Sequence, residues 1–323
     1  MRDQRNWGLA FPDQLRIPAR SAIGVFTCWS GIMNCLYGRK RDGSNKRQAM
    51  MTIANERTCD RSMTEFVSDR QAPPPAGSTS MFQWLRTRVF EAAIVLWSLP
   101  FGITILTFFQ FHRSPAHVRW VLRLWSTGFI FAARWIVGLR YTIEGQENVP
   151  DRPVIFICNH QSYWESIAFT VLIPNLNIIS KAEAMDIPVF GWGLRHAPMI
   201  PVYRDRRGSN LRRIVREAQK SLADGRSILL FPEGTRVKPG QTRRFERSVE
   251  LLYRICGVEI VPVAHNAGLY WREGFATKAA GLVTLRFYPP IAPGTDSKSV
   301  ADQIEQQLNR EKAILLEAAE HTP

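Results

Sequence analysis

Cysteine is scarce in this chain and badly placed for metal or redox chemistry. The 5 cysteines, Cys28, Cys35, Cys59, Cys158 and Cys256, form no CxxC pair and meet no histidine at ligand spacing. That speaks against a structural zinc site, and the odd number speaks against a disulfide framework. A reducing compartment suits the body of such a protein. Acidic residues are also few: 28 Asp and Glu face 42 Lys and Arg, giving a formal net charge of +14 and a pI near 10.1. This balance calls for an anionic partner. Nucleic acid, an anionic membrane surface and phosphate-bearing substrates all qualify on charge alone. No helix-turn-helix, zinc-finger or RNA-binding signature occurs, so nucleic acid is not expected. Ser162 has no Gly-x-Ser-x-Gly elbow around it, which excludes the common serine-nucleophile arrangement.

What is present fits a globular protein with a substantial core: 323 residues, 45% apolar and 22% charged. The chain divides into three. Residues 1–80 scatter their apolar side chains without a period, carry basic clusters such as Arg39-Lys40-Arg41, and end in the linker-like Ala72-Pro73-Pro74-Pro75-Ala76-Gly77-Ser78. Two readings stay open for them, a disordered extension or a start of translation at Met81.

Residues 81–140 read as a membrane-associated helical segment. Ala92–Phe111 carries no charge and is about long enough to span a bilayer, although Pro100 and Gly102 in its middle also allow a shallow hairpin. Val118–Leu139 places Arg119, Arg123 and Arg134 in a stripe about 60° wide on an ideal helix. Trp120, Trp125, Phe129, Phe131 and Trp135 cover most of the rest, a pattern suited to the headgroup layer. Buried core helices are the alternative.

From residue 141 to 323 the chain alternates in type. Val154–Cys158, Leu176–Ser180, Ser227–Phe231, Ile260–Ala264 and Leu282–Tyr288 read as strands. Ser209–Asp224 is an amphipathic helix that ends at Gly225, and Ser297–Glu320 reads as a terminal helix. The expectation is an α/β fold with a mixed, largely parallel sheet flanked by helices, preceded by the two-helix membrane-associated segment. Ligands of such sheets bind beyond the carboxyl ends of the strands.

Two polar motifs follow expected strands directly. Asn159-His160-Gln161-Ser162-Tyr163-Trp164-Glu165 leaves the first. On one continuous helix His160 and Glu165 would lie about 140° apart. They meet only if His160 sits in a loop and Glu165 in the first helical turns. The carboxylate would then hold one ring nitrogen and leave the other to accept a proton. A helix-capping histidine beside an unrelated glutamate is the blander reading. Phe231-Pro232-Glu233-Gly234-Thr235-Arg236 leaves another strand, and its glycine, hydroxyl and guanidinium suit a phosphate. A polar turn with a solvated arginine is the blander reading here. Cys158, next to His160, reads as core, because neighbouring side chains on a strand point to opposite faces. His265 either lies near the pocket or simply packs.

In their order and spacing the two motifs resemble the glycerolipid acyltransferase family, in particular its bacterial-type 1-acyl-sn-glycerol-3-phosphate acyltransferases. Asn159–Glu165 is similar to the family's His-x-x-x-x-Asp block, with Glu165 where aspartate is usual. Phe231–Arg236 matches its Glu-Gly-Thr-Arg block without a change. Ile200-Pro201-Val202-Tyr203-Arg204 resembles the block that ends in a phosphate-contacting arginine. Lys181-Ala182-Glu183 with Ile187–Trp192 resembles the segment before it, and Ile260–Ala264 the block that lines the pocket. Phe245-Glu246-Arg247-Ser248 replaces a Phe-Lys-x-Gly segment frequent in the family, which bears on the preferred acceptor.

The resemblance implies an acyltransferase that moves a fatty acyl group from acyl-CoA or acyl carrier protein to the free sn-2 hydroxyl of lysophosphatidic acid, giving phosphatidic acid. It implies His160 as general base and Glu165 as its orienting partner. Arg204, Thr235 and Arg236, with the Gly234 backbone, would hold the acceptor phosphate, and Glu233 would order the loop or contact the glycerol. No metal or cofactor is implied. The expected surroundings are the lipid bilayer, at the cytoplasmic face of a bacterial inner membrane. Two competing activities stay open, transfer to another lysophospholipid headgroup and hydrolysis of the thioester. A non-enzymatic basic binding protein would leave the two motifs without a purpose.

Overall fold

The computed structural model describes residues 81–108, 115–182, 199–202, 207–271 and 277–320. Residues 1–80, the segment Ile187–Trp192 and Arg204 lie outside the described residues.

Two helices lead in, α1 (Met81–Phe108) and α2 (Pro115–Ala132), the second widening into a π-helical turn at Ala133–Val137. Gly138 ends that turn with φ 85°, a left-handed conformation that glycine adopts without a Cβ clash. A seven-stranded sheet follows, in the order β1-β7-β6-β2-β5-β3-β4. The strands are β1 (Leu139–Glu144), β2 (Ile155–Cys158), β3 (Leu176–Lys181), β4 (Met199–Val202), β5 (Ser227–Leu230), β6 (Ile260–His265) and β7 (Gly281–Phe287). The remaining helices are α3 (Trp164–Leu172), α4 (Arg207–Ala223), α5 (Ser248–Cys256) and α6 (Ser297–Glu320).

Strands β6, β2, β5, β3 and β4 run parallel, whereas β7 pairs antiparallel with β6 and carries β1 alongside it. The expected mixed, largely parallel sheet flanked by helices is thus present. Strand β2 is central and buried on both faces, which is why its sequence is continuously apolar rather than alternating. Phe156 and Cys158 join a core with Phe169, Phe287, Phe90 and Phe129 from the side of α1, α2 and α3. Ile155 and Ile157 join the opposite core with Ile214, Leu252, Ile304 and Leu308 from α4, α5 and α6. Cys158 is therefore core, as expected. Its thiol is pushed up by burial and by the nearby carboxylates of Glu165 and Glu233.

The leading helices need a correction. Among the described residues no helix is long and apolar enough to cross a membrane. The expected spanning stretch Ala92–Phe111 belongs instead, as far as it is described, to a helix that continues through Pro100 and docks on the domain. Phe90 and Ile94 of α1 are buried beside Phe129 and Trp271, and Phe90 meets both rings edge-on with centroids 5.4 Å apart. Polar ties reinforce the docking. The guanidinium of Arg86 donates to the Ile136 carbonyl at 2.7 Å, and the buried Lys278 ammonium donates to Glu91 at 3.1 Å. Helices α1 and α2 cross closely because Gly128 leaves room for the Trp97 ring; a Cβ there would come within 2.3 Å of it. The other side of the pair stays open, with Phe82, Trp84, Leu96, Trp120, Phe131 and Trp135 exposed.

Candidate active site

Three of the parallel strands, β2, β5 and β6, release their chains at the same carboxyl-terminal side of the sheet, and the polar motifs meet there. Helix α3 begins at Trp164, so His160 lies in the loop before it and Glu165 in its first turn. Ser162 makes that geometry. Its hydroxyl accepts the Trp164 N–H at 3.1 Å, and its own N–H donates to Glu165 at 2.7 Å. This reciprocal pairing is a close variant of a capping box, Ser-x-x-Glu at a helix start, with the hydroxyl taking the N–H two residues on rather than three. It turns the Glu165 carboxylate back over the preceding loop, where His160 Nδ1 donates to Oε1 at 2.8 Å. The Gln161 N–H donates to the same oxygen at 2.8 Å, and the Ser162 hydroxyl donates to Oε2.

Glu165 is fully buried. Burial by itself favours the protonated acid, but the neighbouring His265, the His160 hydrogen bond and the Ser162 hydroxyl outweigh it and bring the carboxyl down to about 2. A carboxylate only accepts, so the proton on His160 resides at Nδ1. In the neutral ring Nε2 then carries the lone pair, and among the described residues no hydrogen bond engages it. The ring stacks on Phe231 with centroids 4.1 Å apart and 20° between planes, which holds its orientation. The side chain retains 19% exposure, enough for a substrate to reach it.

A second imidazole supports the first. His265, at the end of β6, is wholly buried. Its Nδ1 accepts the Ala267 N–H at 3.1 Å, and its Nε2 donates to the Asn159 carbonyl at 2.7 Å, which fixes a neutral tautomer. Burial accordingly lowers its basicity, against the opposing pull of Glu165. Its Nε2 lies 3.9 Å from Glu165 Oε1. The Asn159 side chain donates to the His265 carbonyl at 3.0 Å and accepts the His265 N–H at 2.9 Å, clasping β2 to β6 beside His160. His265 therefore packs inside the protein, beside the Glu165 carboxylate.

The loop after β5 lies on the same side of the sheet. Glu233 is fully buried; one of its oxygens accepts the His160 N–H at 2.6 Å and the other the Lys312 ammonium at 3.0 Å. Both oxygens are thus engaged inside the protein. The Val237 N–H donates to the His160 carbonyl at 2.8 Å, so the loop holds the His160 backbone from both sides. Gly234 turns with φ 66°, and a Cβ there would lie 2.0 Å from the Glu246 carboxylate. Thr235 is half-buried, and the Arg236 guanidinium sits 4.1 Å above the Tyr163 ring, a cation–π contact that holds it near α3. Of the expected site residues, His160, Glu165, Glu233, Gly234, Thr235 and Arg236 come together; Arg204 follows β4 outside the described residues.

Sequence reasoning missed Ser162 and Lys312. For Ser162 a signal existed, the Ser-x-x-Glu spacing of a helix start. Chemically, the arrangement offers a mostly buried but accessible base with its partner nitrogen clamped, next to a glycine turn carrying a hydroxyl and a guanidinium. Among the described residues no cluster of His, Cys, Asp and Glu could hold a metal ion.

Comparison with known proteins adds an independent line. A family model described as Acyltransferase matches residues 140–266. A 1-acyl-sn-glycerol-3-phosphate acyltransferase from Pseudomonas aeruginosa is 31% identical over 226 residues, covering 69% of this chain and 87% of that protein. A lyso-ornithine lipid O-acyltransferase from the same organism is 30% identical over 143 residues, 44% of this chain and 53% of that protein. The fold is similar to the crystal structure of the 1-acyl-sn-glycerophosphate (LPA) acyltransferase PlsC from Thermotoga maritima. The TM-score is 0.57 and the identity 23%, over 72% of this chain and 97% of that one.

Proposed function

We propose, since this chain belongs to the acyltransferase family whose 1-acyl-sn-glycerol-3-phosphate acyltransferases it matches, that it acylates the sn-2 hydroxyl of lysophosphatidic acid to give phosphatidic acid in phospholipid synthesis. The observation that carries the mechanism is the His160–Glu165 pair at 2.8 Å with Nε2 open. His160 Nε2 takes the proton of the acceptor hydroxyl as its oxygen attacks the thioester carbonyl. The tetrahedral adduct then expels the thiolate, which recovers the proton from the imidazolium. Glu165 holds the imidazole and stabilises its transient positive charge. Thr235, Arg236 and the Gly234 backbone bind the acceptor phosphate, together with Arg204 of the Ile200–Arg204 motif, and so fix the hydroxyl against Nε2. Glu233 orders the loop. The acyl donor is acyl-CoA or acyl carrier protein, and the thioester is already activated, so the reaction calls on no cofactor.

The test is acyl transfer by the purified full chain from a labelled acyl thioester to lysophosphatidic acid, to other lysolipids, or to no acceptor. Phosphatidic acid as the main product supports the proposal. Efficient release of free fatty acid without acceptor would identify a hydrolase instead. Transfer to an amine-bearing lysolipid in preference to lysophosphatidic acid would move the acceptor assignment; the resemblance to the lyso-ornithine lipid enzyme and the acidic Glu246 beside Gly234 make that arm worth running.

Both substrates carry a fatty acyl chain, and the exposed apolar side of α1 and α2 gives them a meeting place. Trp84, Trp120 and Trp135 are between 51% and 65% exposed, beside the exposed cations Arg123 and Arg134. We infer that this side lies in the headgroup layer, at the cytoplasmic face of the membrane. Exchange of Trp120 and Trp135 for serine is expected to weaken binding to anionic vesicles by roughly tenfold or more. Co-sedimentation with vesicles measures it, and binding unchanged from wild type would place the membrane surface elsewhere.

A further inference from the structure

Lys312 lies outside every motif, on the terminal helix. Val300, Ile304, Leu308 and Leu315 form the buried stripe of α6, and Lys312 stands one turn after Leu308 on that same stripe. A lysine at a core position costs stability unless its charge is used. Here its side chain is 7% exposed, and its ammonium donates to Glu233 Oε1 at 3.0 Å. The other oxygen of that carboxylate accepts the His160 N–H at 2.6 Å, a charge-assisted bond. A single buried carboxylate thus joins the loop after β2, the loop after β5 and the terminal helix.

We propose that Lys312 is a positioning residue for acyl transfer: through Glu233 it fixes the backbone of His160, and with it the place of Nε2 relative to the acceptor hydroxyl. The proposal rests on His160 being the base. Without Lys312 the Glu233 carboxylate is buried uncompensated, and it either loses its charge or turns toward water. In both cases the bond to His160 weakens. The Nδ1–Glu165 bond survives, so the base remains present but misplaced. The loss therefore falls on turnover rather than on acceptor affinity. Misplacement on the scale of 1 Å costs about 10²-fold.

The experiment compares wild type, Lys312→Met, Lys312→Arg and the charge-neutral double variant Glu233→Gln/Lys312→Met, all as full chains, at a temperature well below the lowest melting point. Expected are a fall in kcat of about 10- to 100-fold in Lys312→Met, an acceptor KM within about threefold of wild type, and substantial recovery in Lys312→Arg. If Lys312→Met does not fold, the double variant serves, because it leaves no unpaired buried charge; it too should lose about tenfold or more in kcat. Selective labelling with ¹⁵N-histidine gives a readout that does not depend on turnover: the His160 amide should shift in Lys312→Met while the His265 amide stays. Wild-type kcat with an unmoved His160 amide in a folded variant overturns the proposal, as does a loss that only follows the unfolded fraction. Wild-type protein that transfers no acyl group would overturn the acyltransferase reading instead, and the amide shift would still report on the linkage.

Discussion

Replacement of His160 by alanine is expected to lower acyl transfer by about 10²- to 10⁴-fold and to leave the fold intact. The magnitude is that of a positioned general base. The structure shows why the fold should tolerate the change. The bonds that anchor the loop at position 160 run through its backbone, to Glu233 and from Val237, and alanine keeps both. Glu165 loses one donor of four but keeps the Gln161 and Ser162 N–H groups and the Ser162 hydroxyl. The stacking on Phe231 is lost, a cost of about 1 kcal/mol and a few degrees of melting temperature. On the proposed phosphate-binding role of Thr235 and Arg236, which are untouched, lysophosphatidic acid should still bind. A variant with near-normal turnover and a normal melt would remove His160 from the chemistry.

What the sequence makes visible here depends on the range of the interaction. Strands β2, β5 and β6 are buried on both faces, and their unbroken apolar runs are legible without any partner. The terminal helix has its expected limits, Ser297 and Glu320. Strand β1 was hidden because it is an edge strand whose buried and exposed residues do not alternate cleanly, and the apolar segment before it runs into it through Leu139. Helix α5 was missed because it is only nine residues long, although Gly257 in its left-handed conformation marks its end. The reversal of β7 against β6 is a property of the connection between them and leaves no periodic trace.

The site follows the same division. His160, Glu165 and the Glu233–Arg236 turn are local motifs at strand ends. Their positions could be read because open α/β sheets place ligands at those ends. Lys312 could not be read: it lies 79 residues from Glu233, and a lone lysine on an amphipathic helix is ordinarily a solvated one. His265 was undecided for a related reason, since its tautomer and its nearness to Glu165 depend on the pairing of β6 with β2.

The second large effect is expected at Glu165. Glutamine at this position keeps one acceptor oxygen but removes the negative charge and turns the second oxygen into a donor. The imidazolium formed in the reaction then lacks its counter-charge, and the ring is no longer held to the Nδ1–H tautomer. Turnover should fall by about 10²- to 10⁴-fold, with the acceptor KM less affected. Aspartate, the usual family residue, should retain part of the activity. Its carboxylate is one methylene short of His160, and the capping contact with Ser162 limits how far α3 can move to meet it. The same residue has a signature in stability. Its folded-state value of about 2 lies below the 4.5 of an ordinary glutamate. The stability it contributes is therefore complete above about pH 4.5 and disappears as pH falls toward 2. The Glu165→Gln variant has no such group to protonate. Its melting temperature should decline less steeply than that of wild type over that window, while the two run parallel above it. Parallel curves throughout, together with unimpaired turnover, would mean that the buried carboxylate neither carries its charge nor serves His160.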